Sequence, residues 1–205
     1  VSAGDDRARV GWVAHLRAAG TAPAEAEGLA RFLSMLGRWA AATDLVGRFD
    51  VDALVVRVEA SLAGLPWLPA RGRLLDIGSG NGFPAIPLLL ARPGVSGVML
   101  EPRERRWAFL REVVRDLGLN AEVRRERLGV HRSAGYDVVT VQGVAAAAWA
   151  ASVDEHLSPS GTLLWWTSQS RATTLRAAVR CGRVLECALP SPERGVLVVW
   201  QRCST

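Results

Sequence analysis

The sequence predicts an α/β fold: a doubly wound, mostly parallel sheet of seven strands, closed by a C-terminal antiparallel hairpin and preceded by an N-terminal helical cap. Three observations predict it. From Arg73 onward, short aliphatic runs alternate with helical stretches, the rhythm of parallel strands joined by crossover helices. The run Leu74 to Pro84 carries an apolar strand directly into a glycine-rich turn. The last two strand-like runs, 183–189 and 195–201, are separated by Pro190, Ser191, Pro192 and Gly195, which suits a hairpin and leaves no room for a crossover helix.

Ahead of the sheet, residues 21–41 place Leu29, Phe32, Leu33, Leu36 and Ala40 on one face of an amphipathic helix, with Thr21 and Pro23 at its entry. A second helix follows Asp50 on the stripe Leu54, Val55, Val58 and Leu62, and Pro66 and Pro69 close it. These helices make a cap over residues 1–70, and residues 71–205 make the sheet domain. Strands are expected at about 73–77, 97–101, 121–125, 136–141 and 162–167, and helices at about 84–91, 103–117, 145–157 and 170–180. The Ala-rich run 145–151 reads as helix.

Composition narrows the class. A chain of 205 residues with 49% hydrophobic content buries one substantial core. Its longest apolar stretches, Ala145 to Ala151 and Thr162 to Trp166, fall far short of the roughly 20 residues a membrane helix needs. The first twenty residues carry Asp5, Asp6, Arg7, Arg9 and Arg17 and lack the apolar core of a secretory signal, so the expected location is the cytoplasm. Cys181, Cys187 and Cys203 are odd in number and unpaired in spacing, which argues against a disulfide framework or a zinc site and leaves core packing. His15, His131 and His156 show no metal-ligand spacing and are expected at the surface or at helix ends, so no metal is expected. The net charge is +5, and all 25 basic residues are Arg. Arginine suits phosphate, but a lysine-free composition points first to codon usage in a GC-rich genome.

The chemistry sits in the turn. Asp76-Ile77-Gly78-Ser79-Gly80-Asn81-Gly82-Phe83-Pro84 joins a strand to a helix, where glycines let backbone approach a ligand and the helix start offers unpaired N–H groups. A dinucleotide site prefers G-x-G-x-x-G; the spacing G-S-G-N-G with an acid two residues earlier fits an S-adenosylmethionine loop better. Glu101 ends the strand Gly97-Val98-Met99-Leu100, one β/α unit later, where an acid can accept hydrogen bonds from both ribose hydroxyls.

The run D-I-G-S-G-N-G-F-P-A-I-P-L, then A-R-P and E-P-R-E-R-R-W-A-F-L-R-E-V, resembles the glucose-inhibited division protein B family, small-subunit ribosomal RNA methyltransferases that make 7-methylguanosine. The resemblance extends over residues about 29 to 168, with Leu36 and Trp39, L-G-L at 117–119 and Y-D-V-V-T at 136–140. It implies the class I methyltransferase fold, S-adenosyl-L-methionine as cofactor and small-subunit ribosomal RNA as partner. It carries cofactor contact onto Gly78, Phe83 and Glu101, beside Asp76, Ser79 and Gly80 of the same loop, and places Arg127 and Leu128 near the adenine and Gln142 beside the cofactor. No catalytic acid or base is assigned, because nitrogen 7 of guanine already has an available lone pair and positioning dominates.

The chain departs from the family at several polar positions. T-x-R-A-V-A becomes Thr140-Val141-Gln142-Gly143-Val144-Ala145, which removes an arginine; H-x-x-D-S becomes Arg57-Val58-Glu59-Ala60-Ser61; Lys-Gly becomes Thr167-Ser168; and W-N becomes Trp39-Ala40. Two alternatives therefore stay open: a methyltransferase acting on a small molecule, and a cofactor-binding homologue without catalysis. Trp165 and Trp166 offer stacking surface for a base, although strand alternation sends one of them inward and core packing is expected for both. The arginines at 103, 105, 106, 111, 115, 124, 125, 127 and 132 form either a phosphate-binding patch or a solvated face neutralised by Glu104, Glu112 and Glu126.

Overall fold

The computed structural model describes residues 3–42, 51–172, 182–189 and 195–202. The strands are β1 (Gly72–Ile77), β2 (Val95–Leu100), β3 (Ala121–Arg124), β4 (Tyr136–Gln142), β5 (Leu157–Ser168), β6 (Arg183–Ala188) and β7 (Gly195–Gln201). They form one seven-stranded sheet in the order β3-β2-β1-β4-β5-β7-β6. Neighbours among β1 to β5 pair in parallel, and β7 runs antiparallel to both β5 and β6. The order reverses between β1 and β4, which opens a crevice beyond their C-terminal ends.

Strand alternation sorts the core into two layers. Leu74, Val138, Leu164, Trp166, Leu197 and Val199 face one cluster, while Leu75, Val139, Leu163, Trp165, Val198 and Trp200 face the other. This is the period-2 pattern of a sheet buried on both faces. The first layer is covered by α2 (Pro23–Ala42), α3 (Val51–Leu62), α4 (Ala85–Ala91) and α5 (Glu104–Leu117). Gly118, at φ +61, ends α5 by donating its N–H to the Arg115 and Val114 carbonyls, in the left-handed conformation glycine favours. Leu29, Phe32, Leu33 and Leu36 of α2 are fully buried in the same cluster as the sheet residues, so cap and sheet share one core. Arg31 bonds to Asp116 at 2.8 Å and the Trp39 indole N–H to Glu112 at 3.2 Å, tying α2 to α5.

Three features differ from expectation. An additional helix, α1 (Ala3–Ala18), precedes the cap. Its buried core residues are Trp12 and Leu16, one turn apart and flanked by the partly buried Val13 in a helix otherwise rich in Ala and charge, too thin a stripe to stand out in the sequence. The continuous helix expected at 145–157 is instead a single 3-10 turn, Ala146–Ala148, followed by the one-turn α6 (Val153–His156). Trp149 interrupts it: at 1% exposure it lies edge-on to Trp165, 5.2 Å between ring centroids, in a backbone conformation (φ −145°) that is not helical. Burial of one indole outweighs the helix propensity of a few alanines, a matter of tenths of a kcal/mol per residue. Finally, β5 begins at Leu157 and not near 162, and its pairing with β4 shifts register between Tyr136 and Val138.

Of the helix expected at 170–180, residues 173–180 lie outside the described residues, as do Pro190, Ser191 and Pro192 of the final turn. Cys181 and Cys203 lie outside them too, and Cys187 is a partly buried free thiol on β6.

Candidate active site

The turn after β1 is held from several directions. The Ser79 N–H donates to the Leu100 carbonyl at 3.0 Å and the Gly82 N–H to the Ser79 carbonyl at 2.8 Å. The Gly80 N–H donates to Glu101 Oε2 at 2.9 Å, and the Arg103 N–H to Glu101 Oε1 at 2.8 Å. Glu101 thus closes the glycine turn onto the end of β2, and each carboxylate oxygen retains a lone pair. Gly78 has φ +71, and a Cβ there would stand 2.5 Å from Val144 Cγ2. A side chain at 78 would meet both a strained backbone and the opposite wall.

Asp76 lies beneath this turn at 1% exposure. Its Oδ1 accepts from the Thr140 hydroxyl at 2.7 Å, while its Oδ2 is buried without a hydrogen-bond partner. Burial pushes the carboxyl up to about 7, against the nearby hydroxyls of Ser79 and Thr140 and aided by the charge of Glu101.

A cleft of about 920 Å³ opens where β1, β2 and β4 end. Of the residues expected at the site, Gly78, Ser79, Gly80, Phe83, Glu101, Arg127, Leu128 and Gln142 line it. Asp76 does not reach the lining and supports it from below. Leu128 is 4% exposed and supplies an apolar surface to the lining. Gln142 brings an amide whose Oε1 is buried with no hydrogen-bond partner, an acceptor awaiting a donor.

Further lining residues were not assigned to the cofactor site in the sequence, where Arg57 stood only as a departure from the family pattern and Arg103 and Arg106 only as members of the basic region. Arg57, from α3 of the cap, sets its guanidinium 4.9 Å from the centroid of the Phe83 ring. Arg103 and Arg106 line the same cleft, so four arginines face two acids, Glu101 and Glu126. The rest of the basic region is differently used: Arg124 pairs with Glu122 at 2.9 Å, Arg125 with Glu104 at 3.2 Å, and Arg111 lies 4.7 Å over Trp107. The basic region therefore divides, with Arg103, Arg106 and Arg127 in the lining, Arg111 and Arg125 outside it, and Arg124 behind it, 3.9 Å from Glu126 Oε1.

Trp165 and Trp166 are both core residues, at 2% and 3% exposure, and the Trp166 indole N–H donates to the Ala60 carbonyl at 2.6 Å. They do not reach the cleft. His15 and His156 stand in the last turns of α1 and α6, the helix-end positions expected, and His15 is exposed; His131 departs from the expectation, buried with its ring centroid 5.5 Å from that of His156. Their proximity comes from the fold and left no spacing to read. Among the described residues no group of three or more His, Cys, Asp or Glu could hold a metal, and no helix is long and apolar enough to cross a membrane.

Comparison with known proteins agrees with this architecture. A family model described as rRNA small subunit methyltransferase G matches residues 25–186. Ribosomal RNA small subunit methyltransferase G of Stenotrophomonas maltophilia is 39% identical over 140 residues, 66% of this chain and 66% of that protein. Its namesake in Mycobacterium avium is 45% identical over 98 residues, 47% of this chain and 40% of that protein. The chain thus spans two thirds or less of the length of these relatives. Among solved structures, the Thermus thermophilus 16S rRNA N2 G1207 methyltransferase, in complex with AdoMet and guanosine, superposes with a TM-score of 0.59 at 18% identity, covering 77% of this chain and 44% of that one. At that identity the likeness shows the class I methyltransferase fold alone.

Proposed function

We propose, from the premise that this chain belongs to the rRNA small subunit methyltransferase G family, that it transfers a methyl group from S-adenosyl-L-methionine to nitrogen 7 of a guanine in small-subunit ribosomal RNA. The observation that carries the reading is the glycine turn closed by Glu101 against a cleft at the strand ends. The residues present fit the cofactor. A volume of about 920 Å³ admits a nucleoside with an amino-acid tail. Gly78, at φ +71 and close against Val144, lets the turn present its backbone to the cleft, and Gln142 Oε1 lacks a donor that a bound ammonium or hydroxyl would supply.

Within that reading, Glu101 accepts from the ribose hydroxyls, Leu128 packs on the adenine, and Phe83 with the backbone of 78–82 encloses the rest. When bound, the cofactor supplies an electrophilic methyl group on a sulfonium. The chain's own task is to orient a guanine so that its nitrogen lone pair faces that methyl, with no proton to remove before attack. Arg57 stacked on Phe83, together with Arg103, Arg106 and Arg127, gives the mouth of the cleft planar cations suited to a nucleic-acid phosphate or a base face. The family's arginine at position 142 is absent, but cationic character is retained nearby.

Methyl transfer from labelled cofactor to a cell extract separated into RNA and small-molecule fractions tests the proposal. Label in small-subunit RNA, released as 7-methylguanosine, is the expected result. Label confined to the small-molecule fraction would replace the RNA reading with a biosynthetic one.

A further inference from the structure

Behind the cleft wall lies a buried hydrogen-bonded chain that the proposed chemistry does not use. His131 Nδ1 meets Glu126 Oε1 at 2.6 Å, and His131 Nε2 meets the Tyr136 hydroxyl at 2.9 Å. The His131 side chain has no solvent exposure, and Tyr136 is fully buried at the start of β4. Glu126 is the member that emerges, because it lines the cleft beside Leu128.

Partner chemistry assigns the protons. A carboxylate can only accept, so Nδ1 carries the hydrogen and donates it to Glu126; Nε2 then accepts from the Tyr136 hydroxyl. Burial raises the tyrosine above its ordinary value, which keeps the phenol protonated and able to donate. The chain is braced at its far end. Arg73 lies 4.5 Å over the Tyr136 ring, and the His156 ring packs on His131 while its Nδ1 donates to the Ser133 carbonyl at 2.8 Å. With Oε1 held by His131, the Oε2 oxygen of Glu126 is the one left for a ligand in the cleft.

We propose that His131 is a positioning residue that, gripped by Tyr136, holds Glu126 so that its carboxylate reads the exocyclic amine of the cofactor's base, making the site selective for adenine over a 6-keto purine. The inference rests on the cofactor reading above. Three donors on such a cofactor could meet a carboxylate: ribose hydroxyls, the α-ammonium and the purine 6-amine. Glu101 stands at the ribose position, and Leu128, the neighbour of Glu126 in the lining, offers the apolar face for the purine. A 6-keto group would instead set an acceptor against the carboxylate, which leaves both unsatisfied. Without the imidazole, Glu126 remains chemically intact but keeps only the longer contact from Arg124 Nη1 to Oε1, at 3.9 Å, and loses the short bond that fixes its direction, so the loss appears as discrimination and not as collapse of the fold.

The experiment measures dissociation constants of S-adenosylhomocysteine and S-inosylhomocysteine by calorimetry, for the whole protein and its variants, beside the melting temperature of each ligand-free protein. The wild type should favour the adenine compound by tenfold or more, about the worth of one hydrogen bond to a charged group. His131→Ala should bring the ratio to within about threefold while still binding both compounds. Tyr136→Phe should lower it partway, and His131→Asn, whose amide can replace the Nδ1 donor, should restore most of it. A His131→Ala protein that does not fold leaves Tyr136→Phe to decide, with an unchanged ratio there counting against the chain of bonds. An unchanged ratio in a folded His131→Ala protein would overturn the role of His131 alone. Failure of the wild type to bind either compound would instead contradict the cofactor reading.

Discussion

Glu101 accepts the Gly80 N–H at 2.9 Å across a separation of 21 residues, so one buried carboxylate fixes the glycine turn to the end of the neighbouring strand. Its second oxygen holds the Arg103 N–H at 2.8 Å, which orients the start of α5 as well. In Glu101→Gln one of these oxygens becomes an amide nitrogen that can accept neither bond. Cofactor binding should weaken by about 1–3 kcal/mol, the cost of losing a hydrogen bond to a charged group. Calorimetric titration with S-adenosylhomocysteine measures it, and unchanged affinity would remove Glu101 from the site.

Gly78→Val should abolish cofactor binding, because a Cβ at 78 faces Val144 Cγ2 at 2.5 Å and the backbone stands at φ +71. The two obstacles separate experimentally. Adding Val144→Ala relieves the contact but leaves the left-handed strain, roughly 1–2 kcal/mol, so the double variant should recover stability in part only. Full recovery of melting temperature would show that strain at Gly78 is negligible.

Asp76 predicts a pH dependence of stability. Its carboxyl is raised from 3.8 to about 7 by burial, so between those values the native chain holds a proton that the unfolded chain has released. The stabilisation is complete below the unfolded value and is lost as pH rises through about 7, by an amount on the order of a few kcal/mol. Asp76→Asn, neutral at every pH, should flatten this decline. Denaturant midpoints at acidic and mildly alkaline pH check it, and equal slopes for both proteins would place the titration elsewhere.

Arg57→Ala should raise the KM for small-subunit RNA several-fold and reduce the salt slope of RNA binding by about one, while cofactor affinity stays within about twofold. Filter binding across a salt series beside cofactor calorimetry separates these effects. An equal loss for RNA and cofactor would mean that Arg57 serves Phe83 and not the substrate.

The fold was legible because its signals are local. Leu74 and Leu75, or Trp165 and Trp166, alternate visibly between faces, and the glycine turn declares itself through Gly78, Gly80 and Gly82 within five residues. The hairpin could be read from Pro190 to Gly195 before any pairing was known. What stayed hidden depends on tertiary contact. Trp149 overrode an alanine helix by packing on Trp165, a partner 16 residues away that no period reveals. Arg57 reached the cleft because the cap shares its core with the sheet, and Glu126, His131 and Tyr136 line up only once β3 and β4 are in place. Charge told least, since Arg103 and Arg125 look alike in the sequence, yet one lines the cleft and the other is paired with Glu104.

Methylation of small-subunit ribosomal RNA by the purified chain, with the product nucleoside identified by mass spectrometry, decides whether the cleft transfers methyl groups to guanine. RNA from cells lacking the endogenous activity would be the acceptor, and Gly78→Val the control that cannot bind cofactor. The wild-type chain should yield 7-methylguanosine at a single RNA site and Gly78→Val none. Absence of methylated guanosine from a wild-type chain that is folded and binds S-adenosylmethionine would contradict the proposed function.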